Sequence, residues 1–103
     1  QENYHEFSPF PAVQHDLAIV VPDEVTCEDL LQRITSAGGK LLENVRLFDV
    51  YRDPVRVGIG KKSMAFSLTY RSDDHTLTSD EVERAHSKIV TKVCKATGGE
   101  VRS

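Results

Sequence analysis

Between Lys61 and Tyr70 the chain alternates Met64, Phe66, Leu68 and Tyr70 with Ser63, Ala65, Ser67 and Thr69. Side chains of a β-strand point to opposite faces with a period of two, so this stretch is a strand with one apolar face and one face of small groups. Such a strand suits a sheet covered by a second layer on one side and left open on the other. A second alternation sets Leu17, Ile19 and Val21 against Asp16, Ala18 and Val20, and predicts a strand from Val13 that Pro22 ends. Leu41 to Tyr51 is rich in β-prone residues and is followed by Asp53-Pro54, so it pairs with Lys61–Tyr70 through a long hairpin that contains Gly58 and Gly60.

Two stretches carry the helical period instead. Thr26 with Asp29 forms a start signal, and Cys27, Leu30, Leu31, Ile34 and Ala37 recur at helical spacing up to Gly38-Gly39. Thr78-Ser79-Asp80-Glu81 is a capping box, with Val82, Ala85, His86, Ile89, Val93 and Ala96 marking a stripe that stops at Gly98-Gly99. A short strand over Glu100 to Arg102 follows. The order β-α-β-β-α-β is the α+β ferredoxin-like pattern. Right-handed crossovers then predict a four-stranded antiparallel sheet of order 4-1-3-2 with both helices on one face. Residues 13–103 form this domain, and residues 1–12, with Tyr4, Phe7, Phe10, Pro9 and Pro11 in no clear period, read as an extended lead-in from something upstream.

A chain of 103 residues with 28% charged residues has the size and composition of one soluble domain. Its longest apolar run, Leu17 to Val21, falls far short of the roughly 20 residues a bilayer requires, so no membrane partner and a cytoplasmic location are expected. Cys27 and Cys94 lack any Cys-x-x-Cys spacing and read as reduced, packed thiols, and His5, His15, His75 and His86 lack paired metal-ligand spacing. The net charge of −3 argues against nonspecific nucleic-acid binding, which comes mostly from neutralised phosphates. Yet Arg46, Arg52, Arg56, Lys61, Lys62 and Arg71 face only Asp49 and Asp53 within one stretch, a basic hairpin in an acidic chain.

With both helices on one side, the other side of the sheet is where a function belongs. Period-two counting puts Ala18, Ser63, Ala65 and Ser67 there as a floor of small side chains. On the second strand Asp49 and Tyr51 share a face, but Val45 and Leu47 lie on that same side, so parity does not decide which face is open. If Asp49 and Tyr51 look outward, a ring and a carboxylate stand beside a shallow floor and a basic hairpin, a seat for one unstacked nucleobase. The ring stacks on a base. The two carboxylate oxygens match the paired donors N1–H and N2–H of guanine, where adenine presents an acceptor at N1.

Five segments, Phe10-Pro11-Ala12-Val13, His15-Asp16-Leu17-Ala18, Leu47-Phe48-Asp49-Val50-Tyr51, Gly60-Lys61-Lys62-Ser63-Met64-Ala65-Phe66, and Thr76-Leu77-Thr78 with Glu81-Val82, stand in the order and spacing of a known family. Together they resemble the ferredoxin-fold anticodon-binding domain at the C-terminus of the bacterial phenylalanyl-tRNA synthetase β subunit. The resemblance implies binding of the phenylalanine tRNA through its anticodon loop, whose first base is guanine, with Ala18, Asp49, Tyr51 and Ser63 as the pocket. It implies that Lys61 and Lys62 touch backbone phosphate or position the hairpin, with Arg52 and Arg56 as weaker candidates. It also implies a parent (αβ)2 ligase that attaches phenylalanine with ATP and magnesium in the α subunit, no cofactor in this domain, and no catalysis by the domain alone. Two departures stand out: His15 replaces the usual Arg, and Arg52 to Gly60 lacks the Pro-Glu common before Gly-Lys-Lys.

Other proteins of this topology fit less well. An RNA-recognition motif stacks bases on aromatics of its first and third strands, whereas here the open side of the third strand is Ser63, Ala65, Ser67 and Thr69. An acylphosphatase-type enzyme needs a cationic phosphate cradle after the first strand, where this chain has Pro22-Asp23-Glu24-Val25. A regulatory module that binds a small amino-acid ligand at a homodimer interface remains the alternative.

Overall fold

The computed structural model describes residues 9–102. Its elements are β1 (Val13–Pro22), α1 (Cys27–Gly38), a 3₁₀ turn (Gly39–Leu41), β2 (Leu42–Tyr51), β3 (Lys61–Tyr70), α2 (Ser79–Thr97) and β4 (Glu100–Val101). The sheet order is β2-β3-β1-β4 with antiparallel neighbours, the expected 4-1-3-2 arrangement. Two strand ends differ from the sequence reading: Leu41 sits in the 3₁₀ turn rather than in β2, and Arg102 lies beyond β4. Of the lead-in, residues 1–8 lie outside the described residues; Phe10 is held where Arg71 Nη1 donates to its carbonyl at 2.7 Å.

Helix α1 starts where the Thr26 hydroxyl accepts from the Asp29 N–H at 3.0 Å, and Glu28 and Asp29 favour its positive end. Leu30 and Ile34 of α1 and Val82, Ile89 and Val93 of α2 share one core with Leu17, Ile19, Val21, Met64, Phe66, Leu68 and Tyr70. These sheet residues alternate along β1 and β3, so both helices cover that face and leave the other open.

Polar contacts fasten α2 at two points. At its start the Thr78 hydroxyl accepts from the Glu81 N–H at 3.2 Å, and the Glu81 carboxylate accepts from the Thr78 N–H at 2.9 Å. His75 Nε2 approaches the same carboxylate at 2.7 Å, and its Nδ1 contacts Asp74. Further along, the Tyr70 hydroxyl and His86 Nδ1 share a hydrogen bond at 2.9 Å, and the His86 ring stacks on His15 at 3.9 Å. Burial pushes the Tyr70 phenol up to about 12.

These histidines give opposite pH dependences. Asp74 first, then Glu81, holds His75 above its ordinary value of 6.5. Its contribution is therefore full below 6.5 and is lost as pH rises through the folded value. Burial first, then neighbouring His15, holds His86 below 6.5, with Glu83 opposing. Its contribution is full above 6.5 and is lost as pH falls toward the folded value. Because His86 is the more buried of the two, the domain should lose thermal stability as pH falls below 6.5 toward the folded value of His86. In His86→Phe that acid loss should vanish; a melt whose pH slope is unchanged would contradict this assignment.

Candidate nucleic-acid interface

The open face is built in rows. One row runs Tyr51, Ser63, Val20; the next runs Asp49, Ala65, Ala18; a third runs Arg46, Ser67, Asp16. The β1–β3 ladder is unbroken, so Ser63, Ala65 and Ala18 all point away from the helices. On β2 a bulge decides the matter that parity left open. Leu47 pairs with Phe66, yet Asp49 pairs with Ala65, so Phe48 is an extra residue and the alternation shifts by one there. Val45 and Leu47, opposite Leu68 and Phe66, therefore face the core, while Asp49 and Tyr51 face outward. Without the bulge the same strand would turn both functional side chains toward the helices.

Asp53 fixes the ring. The Tyr51 hydroxyl donates to Asp53 Oδ2 at 2.9 Å, and Asp53 Oδ1 accepts from the backbone N–H groups of Val55 and Arg56 at 2.9 and 3.1 Å. The Asp53 carbonyl takes the N–H groups of Val57 and Gly58, and Gly60 adopts a φ of +75° that glycine tolerates without strain. One carboxylate thus organises the hairpin tip and anchors Tyr51. The Arg56 N–H first, then the Tyr51 hydroxyl, holds Asp53 below the ordinary carboxylate value, and the Asp53 hydrogen bond raises the Tyr51 phenol. Asp49 is exposed, and among the described residues no hydrogen bond or ion pair engages its carboxylate.

The four hairpin cations divide into two pairs. Lys62 points to the helix side and is 6% exposed, its ammonium donating to the Asp23 carbonyl at 2.8 Å. Arg52 bonds the Asp23 carboxylate at 3.1 Å, so both tie the hairpin to the turn after β1. Lys61 and Arg56 are exposed, and no described carboxylate pairs with them. His15 is far from this group, stacked on His86 with Nε2 3.5 Å from Glu83.

Sequence reasoning missed two residues. Asp53 is one. The other is Arg102, whose N–H donates to the Ala18 carbonyl at 2.8 Å and whose guanidinium carbon lies 5.0 Å from the centre of the Tyr51 ring. Val101 pairs with core-facing Ile19, so the next residue faces outward; that register is set by the long-range pairing of β4 with β1. The grooves of the helix layer, of about 480 and 500 Å³, lie away from this face; a base stacked on a sheet requires no deep cavity. Among the described residues no three His, Cys, Asp or Glu side chains are grouped to hold a metal ion, and no helix is long and apolar enough to cross a membrane.

This fold and open face accompany a sequence match. Residues 8–102 match the family model described as the ferredoxin-fold anticodon binding domain. The chain belongs to this family. Phenylalanine–tRNA ligase β subunits are among its relatives: that of Clostridium tetani is 43% identical over 99% of the chain, and that of Shouchella clausii 46% over 97%. The β subunit of Symbiobacterium thermophilum is 47% identical over the full chain. The anticodon-binding domain described here spans only 13%, 12% and 11% of those three proteins.

Proposed function

We propose that the open face binds the anticodon loop of the phenylalanine tRNA and seats its first-position guanine between the Tyr51 ring and the floor of Ala18, Ser63 and Ala65. The Asp49 carboxylate accepts the N1–H and N2–H groups of that base. One observation carries this reading: the Phe48 bulge sets a carboxylate without a partner among the described residues and a fixed phenol side by side, outward, over small residues. In this reading the chain serves a phenylalanine–tRNA ligase β subunit. That subunit works with an α subunit in an (αβ)2 enzyme using ATP and magnesium, and the domain contributes tRNA binding without catalysis.

Stem-loops carrying guanine, inosine or adenine at the first anticodon position test the reading. Guanine should bind best, inosine less well for want of N2–H, and adenine roughly 10- to 100-fold below guanine, corresponding to about 1–3 kcal/mol. Equal affinity for all three, or dimerisation on adding a free amino acid, would contradict it.

Lys61 and Arg56 serve the phosphates in this account, and Lys62 and Arg52 position the hairpin. Lys61→Ala should reduce the slope of log affinity against log salt by about one without changing base preference. Lys62→Ala should instead lower the melting temperature, because it leaves the Asp23 carbonyl and carboxylate without their buried ammonium. Swapped results for the two variants would reverse these roles.

A further inference from the structure

We propose that Arg102 is a displaceable roof over the base seat, which exchanges the Tyr51 ring for a phosphate of the incoming RNA and then clamps it. This rests on the anticodon reading above. β2 and β4 are opposite edges of the sheet, three strand spacings or roughly 14 Å apart. A guanidinium 5.0 Å from the Tyr51 ring centre therefore requires both side chains to lean inward over the floor between them. The exposure of Ser63 agrees: it points away from the helices yet is only 3% exposed, which requires neighbours on the open face to lean over it. A base stacked on the Tyr51 ring above the floor needs, at roughly 3.5–4 Å, the ring face that the guanidinium covers, and the two cannot share it. The seat is thus closed in the free domain.

In the free domain Arg102 lies over the Tyr51 ring and within the field of the exposed Asp53 carboxylate, whose attraction is screened by solvent. An exposed cation–π contact is weak, whereas a guanidinium holds a phosphate through paired, charge-assisted hydrogen bonds. A nucleotide that offers both a base for Tyr51 and a phosphate for Arg102 replaces the ring contact and the screened attraction to Asp53 with paired hydrogen bonds. A base without a phosphate must displace the cation uncompensated. The main chain of Arg102 stays tied to Ala18, so the side chain alone moves.

NMR of the whole chain with the guanine stem-loop tests this directly. On binding, the Arg102 guanidinium signals should leave the ring-shifted position they hold over Tyr51. In Arg102→Gln the affinity should fall about tenfold and the salt slope by about one, with the guanine-to-adenine ratio unchanged; Arg102→Lys should recover the salt slope. An Arg102 that stays over Tyr51 in the complex, or an Arg102→Gln chain with the unaltered salt slope, would overturn the proposal. If the parent chain shows no guanine preference the anticodon reading itself falls; if the preference holds while Arg102 stays in place, only the roof does.

Discussion

Asp49→Asn is expected to convert preference for guanine into preference for adenine. A carboxylate offers acceptors alone, which suits the two donors on the edge of guanine. An amide offers one acceptor and one donor, which leaves a clash of donors at guanine N1 but matches N1 and N6 of adenine. Guanine stem-loops should lose about 1–3 kcal/mol of binding, roughly fivefold to more than a hundredfold, while adenine stem-loops gain relative to them. Stability should move by less than about 0.5 kcal/mol, because Asp49 is exposed and among the described residues has no partner. Titrations of both loops against both proteins, with a melt of each, check this. A variant that weakens both loops equally would show that Asp49 acts through general charge rather than base pairing.

The second large effect is structural. Phe66 stands on β3, with β2 on one side and β1 on the other, opposite Leu47 and Leu17, and is fully buried beneath the helices. Phe66→Ala should cost about 3–5 kcal/mol through lost transfer and an unfilled cavity. Domains of this size hold about 5–15 kcal/mol in total, so urea unfolding should shift to much lower denaturant or begin near native conditions. One residue along, Ala65→Ser faces the open side and should change stability by less than about 0.5 kcal/mol. Similar costs at both positions would mean that the two faces of β3 are misassigned.

The same strand shows why the sequence was readable where it was. On Lys61–Tyr70 every large apolar residue falls on one parity and every small one on the other, so the faces follow from counting. The helix starts were equally legible, because Thr78 and Glu81 cap through contacts three residues apart. β2 was harder, since Val45 and Leu47 occupy one parity and Phe48 and Val50 the other. Counting assumes a regular ladder, and a bulge at an apolar residue leaves no compositional mark. The outward position of Asp49 and Tyr51 was therefore conditional in the sequence and depends on the pairing of Leu47 and Asp49 with Phe66 and Ala65. Lys62 could have been placed, because it neighbours outward-facing Ser63 and must point the other way. Arg102 could not be placed with equal ease, since its position depends on a two-residue strand meeting β1 more than 80 residues earlier. Asp53 reads in sequence as a turn residue before Pro54; its second bond, to the Tyr51 hydroxyl, emerges only in three dimensions.

The central claim concerns where a guanine lies, and it can be read from proton contacts. In a complex with a stem-loop whose first anticodon guanosine alone is isotopically labelled, the base protons should show cross-peaks to the Ala18 and Ala65 methyl groups and to the Tyr51 ring. The guanine imino proton should be protected from exchange. Cross-peaks from that base to side chains of α1 or α2, with Ala18, Ala65 and Tyr51 unperturbed, would contradict the account.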